Sequence, residues 1–511
     1  MSNAISNKVK LNKKVSATDF GAKGDGATND TVALQTALTY VATNGGTLHI
    51  PAGTYNVHDI LNLTSASYPF AIVGEGRGVT RIVRSSNYAS SVFNIGGFDN
   101  WSMSDLTIDG GHALYADGNH GIAFFNCKNV VIQNVEVLNW KNTAILAYAS
   151  PPSTSDNNNI IRDCYVNGND VSNNGILIAD MWASHIIDCV AVRIGKAAEN
   201  SPCYALQLKN GVQRCSIVGG YAEGAKVGVA VGTNTVTESN IGNIIRGVHI
   251  YDCNTGIAFG AGSTTAGDFI NYGHVVSDLN IDMNSSGNNA IDFNRRSNRI
   301  SISNVNVSNL AAGKFASYFR EGDSNNSVEF GTIDNTPDVS IKAAYFGVAA
   351  SGASAPSGNI VTVDRIYNPV TAYDESSLLY TNDSTNYSNQ VFYKSLYLAP
   401  FLPIVSGAIT IDSGALTHVK PLPEGVSDPT PISDDLTTIS GGMKNQIIVL
   451  STRYDTHTVT LKHNVFNLRL AGATDMVLNS VYDTITLRYQ YFSASVSPYY
   501  YWVEVARATH T

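Results

Sequence analysis

Gly175-Ile-Leu-Ile-Ala179, Ala205-Leu-Gln-Leu-Lys209 and Gly228-Val-Ala-Val-Gly232 are three versions of one short phrase. In each, two apolar residues stand two places apart, so an extended backbone points both to the same side. Working outward, the phrase recurs as Ile122/Phe124 and Ile145/Ala147 upstream, and as Ile257/Phe259 and Ile291/Phe293 downstream. From Ile122 to Ile291 the successive spacings are 23, 31, 30, 23, 28 and 34 residues. A second strand follows within most turns, as in Val130-Val-Ile132, Ile160-Ile161, Ile186-Ile187, Ile244-Ile245 and Ile300-Ser-Ile302. Constant strands separated by variable loops predict stacked turns, each burying its inward side chains against the turns above and below. A sandwich alternates apolar and polar residues too, but does not repeat one two-strand signature in successive windows of this length. The expectation is an all-β chain whose residues 81–340 form a right-handed parallel β-helix.

Composition agrees. The 511 residues carry only 14% charged side chains, and Gly (44) far outnumbers Pro (15), which suits short strands joined by many turns. The formal charge is −9 and no Lys/Arg cluster is present, so nucleic acid is not an expected partner. No apolar run approaches the roughly 20 residues that cross a bilayer, and residues 1–14 read as an expression scar and linker. The six cysteines form no Cys-x-x-Cys motif and lack zinc-type histidine partners, so neither metal nor cofactor is expected. Cys164 and Cys189 each follow an Asp after an Ile-rich run, which makes them buried thiols at equivalent positions of successive turns.

Ahead of the repeats, residues 15–80 open with Val15-Ser-Ala-Thr-Asp-Phe-Gly-Ala-Lys-Gly-Asp-Gly-Ala-Thr-Asn-Asp-Thr-Val-Ala-Leu-Gln-Thr-Ala-Leu38, a glycine-rich turn and then a helix. Asp30 or Asn29 can cap that helix, Leu34, Leu38 and Val41 share a face, and Gly45-Gly46 ends it. Asp19 to Gln35 resemble the N-terminal cap of the pectate-lyase-like β-helix superfamily, and the resemblance implies an element that seals the open end of the solenoid.

Beyond residue 340 the rhythm weakens, and 341–405 reads as a connector with further irregular turns. Residues 406–511 hold alternating strands such as Gln446-Ile-Ile-Val-Leu450 and Thr484-Ile-Thr-Leu-Arg-Tyr489, the pattern of an antiparallel β domain. The order of cap, solenoid and terminal β domain resembles bacteriophage tailspike depolymerases acting on capsulated Gram-negative bacteria. That resemblance implies a homotrimer in the phage tail of the virion, acting outside the host on a capsular or other surface polysaccharide. It also implies attachment to the tail or baseplate through a missing N-terminal domain or an adaptor, with the terminal domain serving trimerisation or glycan binding.

Glycoside hydrolysis needs a proton donor and a second carboxylate, about 5 to 5.5 Å apart in retaining enzymes and about 6.5 to 9.5 Å apart in inverting ones. Counted back from the strand anchors, Asp170, Glu199 and Glu223 fall at nearly the same corner of three successive turns, and turns stack about 4.8 Å apart. These three are the expected catalytic residues, Glu199 and Glu223 foremost. Carboxylates at such corners also serve simply to solvate the surface or bond turn amides. For substrate binding, Phe125 and Tyr148 occupy matching outward positions, and Asp180 stands next to Trp182, a carboxylate beside a ring suited to stacking on sugar. Gln207, Lys209 and Asp292, with Asn294, Arg295 and Arg296, form a further outward cluster, followed by Glu321 and Asp323. His120 and His185 read as turn or loop residues rather than catalytic bases.

Two alternatives stand beside hydrolysis. A polysaccharide lyase would use Lys209 with Arg295 or Arg296 to remove a proton beside a uronate. A non-catalytic fibre or adhesin would bind glycan without cutting it. The Asn-Thr-Asp, Gly-His-Gly and Arg-Ile-Lys signatures of polygalacturonases are absent, which disfavours pectin hydrolysis.

Overall fold

The computed structural model describes residues 13–111 apart from 89, 120–170, 174–195, 203–232, 239–260, 271–283, 287–293, 297–310, 314–320, 323–334 and 342–346. Further on it describes 357–367, 380–382, 390–393, 401–411, 418–422, 432–441, 446–452, 457–464, 467–480, 482–492 and 499–509. Among these residues, those from Lys14 to Tyr393 form a parallel β-helix. One wall is a twelve-stranded sheet that begins at Leu61–Leu63 and ends at Tyr380–Asn382. A larger parallel sheet makes the other walls, and a short three-stranded sheet (Asn240–Ile241, Asn271–Tyr272, Ser297–Asn298) lines one corner.

The repeated phrases are the rungs of the twelve-stranded sheet, in unbroken register. Ile122 lies beside Ile145, Ile145 beside Ile176, Ile176 beside Leu206, Leu206 beside Val229, Val229 beside Ile257, and Ile257 beside Ile291. All of these are fully buried, as are the second members of each pair from Phe124 to Phe293. Toward the C-terminal end the inward stack becomes aromatic: Phe293, Phe319 and Phe346 lie ring on ring, with centroids 4.4 and 4.9 Å apart.

The bends of the larger sheet recur in one place because residues tolerant of positive φ occur there turn after turn. Asp105, Asn134, Asp163, Asp188, Gly219, Gly247, Asp278 and Asn304 all have φ between 49° and 66°. Asn and Asp adopt this conformation readily, and here they also bridge turns: Asn134 Nδ2 donates to Asp105 Oδ1 (2.6 Å), and Asn304 Nδ2 to Asp278 Oδ1 (2.8 Å). An interior corner is satisfied by a second ladder. Asn159, Asn243, Asn326 and Asn359 are buried, and each accepts a backbone N–H from the preceding turn, from Val130, Cys215, Ile300 and Asn326 respectively. His274 stands in this ladder, its Nδ1 accepting from Asn243 N (3.1 Å), and burial drives its pKa down to about 3. Cys164 and Cys189 stack on successive turns, and all six cysteines are buried free thiols.

At the N-terminal end, helix α1 (Thr31–Asn44) covers the first turn with Leu34, Leu38 and Val41. Asn29 Oδ1 accepts from Thr31 N at its start. Asp30 turns away from the helix instead, and its buried carboxylate accepts from Lys23 N (2.7 Å) and Gly24 N (3.2 Å), pinning the glycine-rich turn.

The stretch read as a connector contributes rungs of its own: Lys342–Phe346 and Tyr380–Asn382 extend the twelve-stranded sheet, and Ile360–Tyr367 and Gln390–Tyr393 extend the larger one. The uneven spacing of these strands along the chain breaks the sequence rhythm without ending the stack. The terminal part contains the expected antiparallel strands, Ile447–Leu450 with Thr484–Phe492 and Thr484–Phe492 with Tyr499–Ala508. It mixes in parallel pairs, such as Ile432–Leu436 with His457–Leu461.

Candidate functional site on the twelve-stranded sheet

Strand alternation turns every second residue of the twelve-stranded sheet outward, and register lines these residues into columns. One column runs Gly96, Phe125, Tyr148, Ala179, Lys209. The rings of Phe125 and Tyr148 stack at 5.6 Å and 28°, and Gly96 leaves room for the Phe125 ring: a Cβ there would lie 2.5 Å from it. Lys209 closes the column, half-buried. The parallel column runs Ala123, Leu146, Leu177, Gln207, Ala230, Ala258, Asp292, Tyr318, Tyr345.

Gln207 points outward as expected, but it is 3% exposed and lies between Leu177 and Ala230. That burial removes it from any surface a polymer reaches. Asp292 is also largely covered, its side chain 13% exposed, and it is gripped by Arg320: Nε reaches Oδ1 at 3.3 Å and Nη2 reaches Oδ2 at 3.1 Å. Burial pushes the Asp292 carboxyl above its ordinary range, against the opposing pull of the Arg320 charge. Asp323, grouped with the outward charges in the sequence, is instead fully buried. Its two oxygens accept from Ser297 N (2.7 Å) and Arg320 N (2.6 Å), and burial raises its pKa well above that of a free carboxylate. Arg295, Arg296, Asn294 and Glu321 lie outside the described residues.

Arg320 was not singled out in the sequence. The signal that would have found it is the next rung, Ser317/Phe319: its first member is a buried serine, so a search for apolar pairs stops one turn early.

Beyond the end of the strands, Asp180 adopts φ 57° and donates its N–H to Asn210 O (2.9 Å), so its backbone closes a corner. Trp182 is half-buried beneath the Arg214 guanidinium, 5.2 Å from the ring centroid, and Arg214 pairs with Asp156. His120 and His185 begin strands rather than occupying turns. Burial lowers both pKa values, that of His120 to about 4, and His185 Nδ1 shares a hydrogen bond with Ser216 Oγ (2.8 Å).

The three carboxylates of the corner part company. Glu199 lies outside the described residues. Glu223 ends the strand Tyr221–Glu223, and the pairing places Val192 and then Asn167 on its column, not Asp170. Asp170 sits three residues further on, in a turn, where Arg193 binds it through Nε (2.9 Å) and Nη2 (2.5 Å), with both side chains half exposed. Counting back from strand anchors failed here because the linking loops differ in length from turn to turn. Glu223 neighbours Tyr221, whose hydroxyl is pushed up to about 12 by burial and then by the Glu223 charge. Its strand partner is Tyr251. Among the described residues no group of His, Cys, Asp and Glu has the arrangement of a metal site.

Residues 14–258 match the family model described as rhamnogalacturonase A/epimerase, pectate lyase-like. That match takes in the N-terminal cap and the first turns of the parallel β-helix. Alginate lyase 7 of Azotobacter vinelandii is 32% identical over 183 residues, 30% of this chain and 19% of that protein. The A-module of mannuronan C5-epimerase AlgE6 from the same organism superposes with a TM-score of 0.55 at 17% identity, covering 74% of this chain and 99% of the module. The Dettilon tailspike protein superposes with a TM-score of 0.50 at 13% identity, covering 97% of this chain and 84% of that one. The matches span between 6% and 21% of the length of the curated relatives.

Proposed function

We propose that this pectate-lyase-like β-helix is the receptor-cleaving part of a phage tailspike, which binds a bacterial capsular or surface polysaccharide along its outer wall and cuts it by glycoside hydrolysis. The observation that carries the reading is the in-register outward column with its Phe125–Tyr148 stack. Outward positions repeating every rung suit a polymer that repeats along its length, and the two aromatic faces suit the apolar faces of sugar rings. The full-length likeness to a tailspike and the relatives named for alginate chemistry both support a polysaccharide substrate.

Glu223 and Glu199 are the proposed acid and base or nucleophile, and Asp170, paired with Arg193, is the third proposed catalytic carboxylate. Phe125, Tyr148, Lys209, Asp180 and Trp182 are the proposed contacts to the glycan. Three chains assemble side by side. Ile241, Ile244 and Val275 support this, being 39%, 46% and 50% exposed, with Ile244 and Val275 paired on adjacent rungs.

The test is to incubate the protein with a panel of purified capsular and O-antigen polysaccharides and to size the products by gel filtration, alongside sedimentation to give the mass of the assembly. Shortened glycan with the wild type and intact glycan with Glu223→Gln, in a particle of trimer mass, is the expected outcome. Binding without shortening across the panel leaves the adhesin reading. Products absorbing in the ultraviolet through an unsaturated end establish a lyase, the reading that the alginate lyase relative favours.

A further inference from the structure

Six strands beyond Tyr148 on the same sheet, a second group of rings faces outward. Tyr318 and Tyr345 are partners on adjacent rungs, their rings stacked at 4.6 Å and 22°. Phe315 packs against both, at 5.7 and 4.9 Å. The hydrophobic core has no need of these three, because Phe319 and Phe346 on the same strands already fill the interior. Each of the three is half-buried rather than enclosed in the core. Beside them the Arg320 guanidinium lies 5.0 Å from the Tyr318 ring centroid and holds Asp292 in a two-pronged pair.

We propose that Phe315, Tyr318, Tyr345, Asp292 and Arg320 form a binding subsite for one neutral pyranose ring. The shelf takes the C–H face of the sugar, and the adjacent guanidinium and carboxylate offer a donor and an acceptor side by side to neighbouring hydroxyls. Neutrality follows from charge. The Arg320 fork is already occupied by Asp292, so a uronate would have to displace one carboxylate and then sit next to it, at the expense of like-charge repulsion. The subsite deepens, and rests on, the reading that this wall takes glycan. It lies about 29 Å along the solenoid from the Phe125–Tyr148 stack, six rungs at about 4.8 Å each.

The test is saturation-transfer-difference NMR with methyl α- and β-glycosides of glucose, galactose, mannose and N-acetylglucosamine, with methyl β-glucuronide for comparison. At least one neutral glycoside is expected to receive saturation, strongest at the protons of one ring face, and the glucuronide less than the matching glucoside. Tyr345→Ala is expected to weaken that binding about two- to tenfold, while Tyr345→Phe preserves it. Silence from every neutral glycoside, a signal unchanged in Tyr345→Ala, or preference for the glucuronide overturns the proposal. Because the readout is contact with a monosaccharide and involves no cleavage, it fails or succeeds independently of the depolymerase assay.

Discussion

Replacing Arg320 by methionine isolates the electrostatics of the outer wall. The Asp292 side chain is only 13% exposed and takes both of its strong contacts from one guanidinium. Removing one partner of a buried pair costs about 3–5 kcal/mol, because the remaining charge is stranded. Arg320 is 43% exposed, however, and exposed pairs contribute only about 0–1 kcal/mol. An intermediate loss of about 1–3 kcal/mol is therefore expected for Arg320→Met. Adding Asp292→Asn removes the stranded charge and should recover about half of that loss.

The same pair gives a pH dependence with a definite sign. The folded pKa of Asp292 is raised above its unfolded value, so the native state takes up the proton first as pH falls. Stability from this group rises as pH drops through the raised folded value and levels off below the unfolded one. Without Arg320 the carboxyl is raised further, so the variant should gain more on acidification than its parent. Urea unfolding at low salt, at neutral and mildly acidic pH, measures all of this without screening the charges. An Arg320→Met midpoint within about 0.5 kcal/mol of the parent, or a double variant no more stable than the single, would falsify the electrostatic account.

Other perturbations follow from the stack. Phe319→Ala empties a fully buried ring site and breaks two stacked contacts, for an expected loss of about 3–5 kcal/mol in denaturant unfolding, and a loss under about 1 kcal/mol would contradict the packing described. Gly220→Ala places a Cβ 2.2 Å from Cys189 O at φ +93°, so about 1–3 kcal/mol of backbone strain joins a main-chain clash, to be read as lowered thermal stability. The native protein should leave a thiol reagent such as Ellman's unreacted, since all six cysteines are buried and burial is the leading cause raising the Cys127, Cys189, Cys203 and Cys215 thiols. Prompt labelling before denaturant is added counts against that.

The sequence by itself determined the solenoid. Apolar pairs such as Ile176/Ile178 and Leu206/Leu208 must be buried together, and the only partners of equal shape are the pairs one turn away, so the pattern carries its own register. The outward match of Phe125 with Tyr148 followed from the same counting, because both residues belong to strands that the pairs anchor. Counting lost its hold wherever a loop intervened. Asp170 and Glu223 are not column partners, since the loop between the last strand of one wall and the first of the next varies in length, and Asn167 takes the aligned place. Burial was equally out of reach. Gln207 and Asp323 look like surface residues in the sequence, yet neighbouring side chains and backbone amides enclose them. Arg320 acquired its meaning only when Asp292, 28 residues earlier in sequence, came to lie one rung away. Local periodicity is a property of adjacent residues and survives in one dimension, whereas which charge meets which depends on how far each loop carries the chain before the next strand begins.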